Sequence, residues 1–196
     1  MVLLIDNFDS FSHMLADYFL RFGVEIKIYR NDVSLEELKQ HRWEALILSP
    51  GPETPDKAGN LMGILEYYHD QLPVLGICLG HQAIGQFFGA SLIKGQMPIH
   101  GKVHTVYKKN EHPILLDLPD QFEVTRYHSL ELINLPSCLK PLLLTKSGVL
   151  MGLAHQSLPI IGIQYHPEAV LTEYGEEIIE NFLELTGLFT AEKVCL

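Results

Sequence analysis

The chain has 196 residues, a length typical of one domain, and we expect residues 1–196 to form a single domain with a substantial core. Its formal net charge of −10 counts against a nucleic-acid surface, because binding to phosphates depends mainly on clustered Lys and Arg. The apolar residues 1–5 are too few for a signal peptide, and no later run approaches the roughly eighteen apolar residues of a membrane span. These features predict a cytoplasmic protein that binds neither nucleic acid nor membrane.

The cysteines and histidines give no sign of a disulfide framework or a metal site. Cys78, Cys138 and Cys195 are far apart and lack Cys-x-x-Cys spacing, which is typical of a reducing compartment. We expect Cys138 and Cys195 to have no chemical role. His100 and His104 lie close in sequence but have no third ligand, so we predict no metal and no cofactor.

Short apolar runs alternate with helical patterns in the first half of the chain. The runs are residues 2–5, 25–28, 45–48 and 74–77. The helical repeats are Phe11, Leu15, Tyr18, Phe19 and Phe22, followed by Leu61, Ile64, Leu65 and Tyr68. Alternation of this kind predicts an α/β fold with an open, mostly parallel sheet and helices on both faces.

Helix boundaries are marked by small polar residues and glycine. Ser10 and Ser34 are placed to cap two helices, and Glu37 completes a capping box with Ser34. Gly23 is placed to close the first helix.

The pattern changes between about residues 90 and 153. Short stretches at 102–107, 122–125 and 142–145 are broken by Gly and Pro, which predicts antiparallel strands added to the main sheet and hence a mixed sheet. Residues 160–164 return to a buried strand, and residues 174–185 form the last predicted helix.

Gly76-Ile-Cys78-Leu-Gly80 follows a predicted strand and precedes a helical pattern that begins near His81. This form is typical of a nucleophile elbow, in which glycines let a sharp turn hold a reactive side chain above a sheet. The positive end of the helix dipole increases the thiolate fraction of a cysteine there. We therefore predict Cys78 as a nucleophile. The alternative reading of the motif alone is a buried cysteine that fills a tight turn.

Among the ten histidines, His166 is the predicted base. It lies just beyond the strand at 160–164, where open α/β sheets place their sites, and Pro167 favours an extended conformation for it. Residues two apart in an extended segment project to the same side, so Glu168 can orient the imidazole and stabilise its charged form. His81 and His128 are weaker candidates, because neither has an acidic residue two positions away.

An oxyanion site needs backbone N–H groups that point at the developing charge. One is expected from Leu79, the residue after the nucleophile. The second is expected from Gly51, because its proline neighbours in Ser49-Pro-Gly51-Pro-Glu53 carry no N–H. A rigid Pro-Gly turn without chemistry is the alternative for this loop.

Six segments in chain order resemble those of the class I, triad-type glutamine amidotransferases, in particular the small subunits (component II) of anthranilate and aminodeoxychorismate synthases. They are Asp6-Asn-Phe-Asp-Ser-Phe11, Ser49-Pro-Gly-Pro52 with Thr54-Pro55, Gly76-Ile-Cys-Leu-Gly-His-Gln82, His100-Gly-Lys102, Arg126-Tyr-His-Ser-Leu130 and His166-Pro-Glu168. The cysteine elbow and His-Pro-Glu are shared by the wider class. The first and fifth segments are more particular to the branch that uses chorismate.

The resemblance implies a flavodoxin-like amidotransferase fold and hydrolysis of L-glutamine by a catalytic triad of Cys78, His166 and Glu168. It also implies the residues that hold glutamine, which are Gly51, Pro52, Glu53, Leu79, Gln82, Ser129 and Leu130. No acceptor domain fits within the chain, so we expect ammonia to pass to a separate chorismate-binding synthase subunit in a hetero-oligomer. The product would be anthranilate for tryptophan, 4-aminobenzoate for folate, or both.

Two positions depart from the family pattern. Glu53 stands where many members have glycine, and Ala169 stands where serine is common. We expect Glu53 to be tolerated if its contact with glutamine is through the backbone. Two other functions fit the fold, a stand-alone cysteine hydrolase of peptides or γ-glutamyl substrates and a non-catalytic regulatory subunit. The chorismate-branch segments argue against the first, and the intact triad argues against the second.

Overall fold

The computed structural model describes residues 1–95, 99 and 101–189. His100 and Cys195, both singled out in the sequence, lie outside the described residues. The strands are β1 (Val2–Asp6), β2 (Ile26–Arg30), β3 (Ala45–Leu48), β4 (Val74–Ile77), β5 (Ser91–Lys94), β6 (Lys102–Lys108), β7 (Gln121–Arg126), β8 (Leu130–Ile133), β9 (Leu139–Thr145), β10 (Leu150–His155) and β11 (Ile160–Ile163). The helices are α1 (Ser12–Arg21), α2 (Leu35–Leu38), α3 (Leu61–Tyr68), α4 (Leu79–Phe87) and α5 (Gly175–Leu185).

Within the described residues, nine strands form one sheet in the order β2-β1-β3-β4-β11-β10-β9-β6-β7, and β5 pairs with β8 in a second sheet. Neighbours from β2 to β11 are parallel. Neighbours from β11 to β7 are antiparallel. The predicted α/β fold, with antiparallel strands added to a parallel sheet, is confirmed.

Helices cover both faces of the large sheet, as the sequence predicted. On one face α1 and α5 pack against Val2 and Leu4 of β1. On the other face α3 and α4 pack against Leu3 and Ile5 of the same strand. A strand whose successive side chains enter two different cores must be apolar throughout, which explains the uninterrupted apolar run of β1. None of the described helices has the length and apolar character needed to cross a bilayer.

The predicted capping of two helices has different outcomes. The Ser34 side chain accepts a hydrogen bond from Glu37 N at the start of α2, and Gly23 follows α1 with a φ of +72°. Both predictions are confirmed. The prediction for Ser10 is wrong, because α1 begins after Phe11 and no side chain caps it.

Two aspartates order the turn that precedes α1, without capping the helix. Asp9 Oδ1 accepts from Phe11 N at 2.8 Å, and Asp6 Oδ1 accepts from Ser12 Oγ at 2.6 Å and from Asp9 N at 3.2 Å. These bonds fold residues 6–12 into a turn at the carboxyl end of β1, so the helix begins later than the sequence indicated.

Candidate active site

The carboxyl ends of four neighbouring parallel strands, β1, β3, β4 and β11, meet at one edge of the sheet. Cys78 directly follows β4, and His166 lies shortly after β11. The two strands are adjacent, and Cys78 N donates to Ile163 O at 2.8 Å. Sheet topology therefore brings together two side chains that are distant in sequence.

Cys78 lies on a sharp turn between β4 and α4. Its backbone has φ 53° and ψ −99°, and it occupies the N-cap position of α4. A Cβ atom on Gly76 would lie 2.5 Å from the Gly80 backbone, and one on Gly80 would lie 2.3 Å from Leu48 O. Neither position admits a side chain, so both glycines of the motif are required by close packing. The turn places the thiol at the helix N-terminus with 7% of the residue exposed.

His166 Nδ1 and Glu168 Oε1 are 2.7 Å apart, and both side chains are buried. The contact was predicted, but the reason given for it was wrong. Ala169 N donates to His166 O, so residues 166–169 form a turn instead of an extended segment. Pro167 occupies the second position of this turn, where its fixed φ is favoured.

The environment of His166 favours its charged form. Burial lowers the pKa of the imidazole, but hydrogen bonding and charge interactions with Cys78 and Glu168 raise it and outweigh burial, so the pKa is raised overall. Nε2 is buried and lacks a hydrogen bond of regular geometry within the described residues, although Cys78 interacts with the imidazole. A protonated imidazole beside a cysteine sulfur in turn favours the thiolate.

The backbone of the segment that carries His166 is tied to β7. His166 N donates to Thr125 O at 3.2 Å. The Thr172 hydroxyl donates to His166 O at 2.7 Å and accepts from Thr125 N at 3.0 Å. The Thr172 side chain therefore links the turn that contains His166 to the sheet. No sequence pattern had indicated this role for Thr172.

Thr172→Val is expected to lower the free energy of unfolding by about 1–2 kcal/mol, because it leaves the Thr125 N–H without its partner and removes one of the two hydrogen bonds that His166 O accepts. Thr172→Ser retains the hydroxyl and should lose much less. Chemical denaturation of both variants and the parent measures the difference. Equal stability of the Val and Ser variants would show that the hydroxyl does not hold the turn.

The two rival histidines are buried and have lowered pKa values. His81 is fully buried on α4, packs against Gly162, and has its pKa lowered to about 4 by burial. His128 accepts from Arg126 Nε at 3.0 Å through Nε2 and donates from Nδ1 to Leu130 O at 2.9 Å. Burial, followed by the charge of Arg126, lowers the pKa of His128 to about 3. The lowered pKa values favour the neutral form of both imidazoles, and neither ring pairs with a carboxylate among the residues that the structure describes.

The loop after β3 lies against the elbow. A Cβ atom on Gly51 would lie 2.5 Å from Asn7 Cβ and 2.6 Å from Leu79 Cδ2, so the loop packs against the first residue of α4 only because Gly51 has no side chain. Asn7 N donates to Ser49 Oγ, and Asn7 Nδ2 donates to Ser49 O, both at 2.9 Å. The structure thus brings Gly51 and Leu79 together.

Pro52 and Glu53 are exposed on the same loop. Glu53 has a φ of +62°, the left-handed region that glycine adopts most easily, which gives a physical reason for the glycine that the family resemblance implies at this position. Its carboxylate pairs with Lys57 at 3.6 Å on the surface. The side chain is therefore engaged with solvent and Lys57, and only the backbone of Glu53 is available to the interior.

The remaining predicted glutamine-binding residues lie on α4 and at the start of β8. Gln82 is buried, and its Nε2 donates to Leu130 O at 3.4 Å and to Gln164 Oε1 at 3.2 Å. Ser129 is exposed and Leu130 is half-buried. Gln82 therefore joins the elbow helix to the segment of Ser129 and Leu130.

A family model described as glutamine amidotransferase class-I matches residues 3–185. The chain belongs to the class-I glutamine amidotransferase family. Anthranilate synthase component 2 of Azospirillum brasilense is 45% identical over 190 residues, covering 95% of this chain and 96% of the relative. The aminodeoxychorismate/anthranilate synthase component 2 of Bacillus subtilis is 37% identical over 187 residues, covering 94% and 96%.

The chain is also similar in structure to solved proteins. A Thermoplasma acidophilum protein described as one of the subunits of GMP synthase has a TM-score of 0.86 at 31% identity, covering 95% of this chain and 94% of its own. A glutamine amidotransferase of Thermotoga maritima has a TM-score of 0.72 at 20% identity, covering 95% of this chain and 81% of its own, and supports the fold alone.

Two features complete the description of this amidotransferase site. Among the residues that the structure describes, no group of three or more His, Cys, Asp or Glu side chains is placed to hold a metal ion. Sequence reasoning missed two aromatic rings, Phe11 and Tyr127, that contact the imidazole of His166. Both lie in segments that had been singled out, but no periodicity or spacing indicated that they meet.

Proposed function

We propose that this amidotransferase hydrolyses L-glutamine with Cys78 as nucleophile, His166 as acid and base, and Glu168 as the group that orients His166. The ammonia is delivered to a separate chorismate-binding synthase subunit. The observation that most strongly supports the proposal is the 2.7 Å bond between His166 and Glu168 beside a cysteine held on a strained elbow. Cys78 must stay reduced to react, so the proposal includes a cytoplasmic location.

The chemistry proceeds in two steps. The Cys78 thiolate attacks the carbon of the side-chain amide, and protonated His166 gives its proton to the departing ammonia, leaving a γ-glutamyl thioester. Water then loses a proton to neutral His166 and attacks the thioester, which releases glutamate and restores the thiolate. Glu168 stabilises the imidazolium at both stages, consistent with the raised pKa of His166.

Glutamine is held above Cys78 by groups from three segments. The backbone N–H groups of Gly51 and Leu79 are proposed to stabilise the oxyanion, because the two residues are in contact next to the nucleophile. Gln82, Ser129 and Leu130 are proposed to hold the α-amino and α-carboxylate groups. Pro52 and Glu53 are proposed to contribute through the loop backbone only.

The acceptor is proposed from the names of the relatives. They are components 2 of anthranilate and of aminodeoxychorismate synthases, at 37–45% identity. For both kinds of relative, the partner subunit that the name implies is expected to use chorismate as its substrate. The proposal therefore specifies a chorismate-using synthase subunit that makes anthranilate or 4-aminobenzoate, with the choice made by that subunit.

The isolated chain is expected to be a poor glutaminase that its synthase partner activates, most strongly with chorismate bound. A chain that releases ammonia without an acceptor wastes glutamine, and the loops around Gly51 and Ser129 can be completed by contact with a partner. A hundredfold activation requires only about 2.7 kcal/mol of binding energy. Steady-state glutamate release, measured for the chain alone, with partner, and with partner plus chorismate, tests this.

Complex formation must be verified in the same samples, for example by size-exclusion chromatography. Equal turnover in all three conditions would favour a stand-alone γ-glutamyl hydrolase. Complex formation without any glutamate release would favour a regulatory subunit.

A further inference from the structure

Two aromatic rings contact the imidazole of His166. The ring centroids of Phe11 and Tyr127 lie 5.1 and 5.0 Å from that of His166, with interplanar angles of 66° and 71°. Phe11 and Tyr127 also contact each other, with centroids 5.3 Å apart. These distances fall within the range of about 4.5–7 Å for favourable ring pairs, so the three rings form one packed cluster.

The cluster helps to keep the imidazole away from water. His166 is 2% exposed, whereas Phe11 and Tyr127 are only half-buried and reach the surface. Water exclusion lowers the local dielectric constant and strengthens the attraction of a charged imidazole to Glu168 and to the Cys78 sulfur. The two rings therefore influence both the orientation and the electrostatics of His166.

The bond to Glu168 does not by itself fix the imidazole. The hydrogen bond at Nδ1 leaves the ring free to tilt about the line that joins Nδ1 to the carboxylate, and the interaction of the imidazole with Cys78 does not reach regular hydrogen-bond geometry at Nε2. Contacts from two rings restrict that tilt. A misplacement of about 1 Å at a reacting group can cost on the order of a hundredfold in rate.

The ring of Phe11 is carried by a turn built from polar side chains. Asp9 Oδ1 accepts from Phe11 N, and Asp6 Oδ1 accepts from Asp9 N and from Ser12 Oγ. The role of residues 6–11 is therefore to hold the Phe11 ring in place, and this role is separate from the bond-making steps. The carboxylates of Asp6 and Asp9 fix the backbone from which Phe11 extends.

The ring of Tyr127 is flanked by two buried residues. Arg126 is 3% exposed and His128 is 4% exposed, and a 3.0 Å hydrogen bond joins their side chains. His128 in turn donates to Leu130 O. Tyr127 therefore extends from a backbone that is held on both sides, as a residue that positions another must be.

We propose that Phe11 and Tyr127 are positioning residues that clamp His166 in the orientation needed to transfer protons between Cys78, ammonia and water. The proposal rests on the role proposed above for His166. The clamp acts through His166 and takes no part in bond making. It also explains why the segments at residues 6–11 and 126–130, separate in sequence, occur together in one chain: each supplies one ring to the same imidazole.

The test compares ring removal with ring retention. Phe11→Leu and Tyr127→Leu are each expected to lower kcat for glutamate release by about ten- to hundredfold with KM for glutamine nearly unchanged, because geometry at the reacting group is lost and not glutamine binding. Tyr127→Phe keeps the ring and should retain a much larger share of kcat than Tyr127→Leu does. Phe22→Leu is the matched control, since it removes a ring pair with Phe189 of similar geometry at the other end of α1.

Rates are measured with the full chain, alone and with its synthase partner, and the low-field NMR signal of the His166 Nδ1 proton reports the bond to Glu168. Broadening of that signal in the Leu variants, with an intact signal in Phe22→Leu, supports the clamp. Parent-like kcat in both Leu variants, or an equal loss in Phe22→Leu, overturns it. If kcat is parent-like in the Leu variants but His166→Ala is inactive, only the clamp fails. If His166→Ala is active, both the clamp and the proposed function fail.

Discussion

Cys78→Ser is expected to abolish glutamine-dependent product formation while leaving synthesis from added ammonium salt intact in the complex with the synthase subunit. In the proposed mechanism Cys78 serves only the step that releases ammonia, and a serine hydroxyl at the elbow is far less nucleophilic than a thiolate near neutral pH. The substitution is nearly isosteric, so the turn with its positive φ is retained and the complex should still form. Product formation is measured with glutamine and with ammonium salt as alternative nitrogen donors.

Cys138→Ser is the matched control, because Cys138 is the other free cysteine among the described residues and is half-buried away from the elbow. It should leave both activities unchanged. An electrophilic glutamine analogue should label Cys78 and be located there by mass spectrometry. Loss of both activities in Cys78→Ser with assembly intact would contradict the separation of roles, and a label on Cys138 would remove the nucleophile assignment.

His166→Ala is expected to lower the glutaminase rate by at least about a hundredfold, whereas His81→Ala and His128→Ala should retain most of it. Of these three described histidines, His166 is the one that pairs with a carboxylate and whose pKa is raised, which is why the proposed mechanism assigns it the role of acid and base. The pKa values of His81 and His128 are lowered by burial, and both are held neutral within the packed interior.

Comparing kcat for the three variants requires that each is folded at the assay temperature. His128→Ala removes the partner of Arg126 Nε and should lower thermal stability, so circular-dichroism melting curves accompany the rates. A larger loss of kcat in folded His81→Ala or folded His128→Ala than in His166→Ala would show that a different histidine is the base.

Most of the fold followed from the sequence because its signals are local. The apolar runs of β3 and β4 are bounded as predicted, since both strands are buried throughout, and β1 extends one residue beyond its predicted end, to Asp6. The start of α1 did not follow, because Asp6 and Asp9 satisfy the turn before it and displaced the expected role of Ser10. Capping signals compete with one another, and only the assembled turn decides between them.

The site was predictable where chemistry depends on residue type and on strand ends. Cys78, His166 and Glu168 were named from an elbow, a strand end and a spacing of two, and the structure brings them together. The spacing gave the right pair through the wrong geometry, because a turn can place residues two apart in contact just as an extended segment can. Phe11 and Tyr127 could not be identified from the sequence, since their contacts with His166 depend on tertiary packing between distant segments. Thr172 could not be identified either, because its link between His166 and β7 depends on a bond to Thr125, 47 residues away.

The segment that carries His166 also closes the side of the sheet. β7 is an edge strand of the large sheet, and its outward backbone groups at Glu123 and Thr125 bond to residues 166–173 instead of remaining open. An open strand edge invites pairing with other chains and aggregation. Substitutions that loosen this segment would also expose the edge of β7. The sequence of the segment is therefore constrained by solubility as well as by catalysis. Engineering of the His166 loop should therefore be screened for self-association together with turnover.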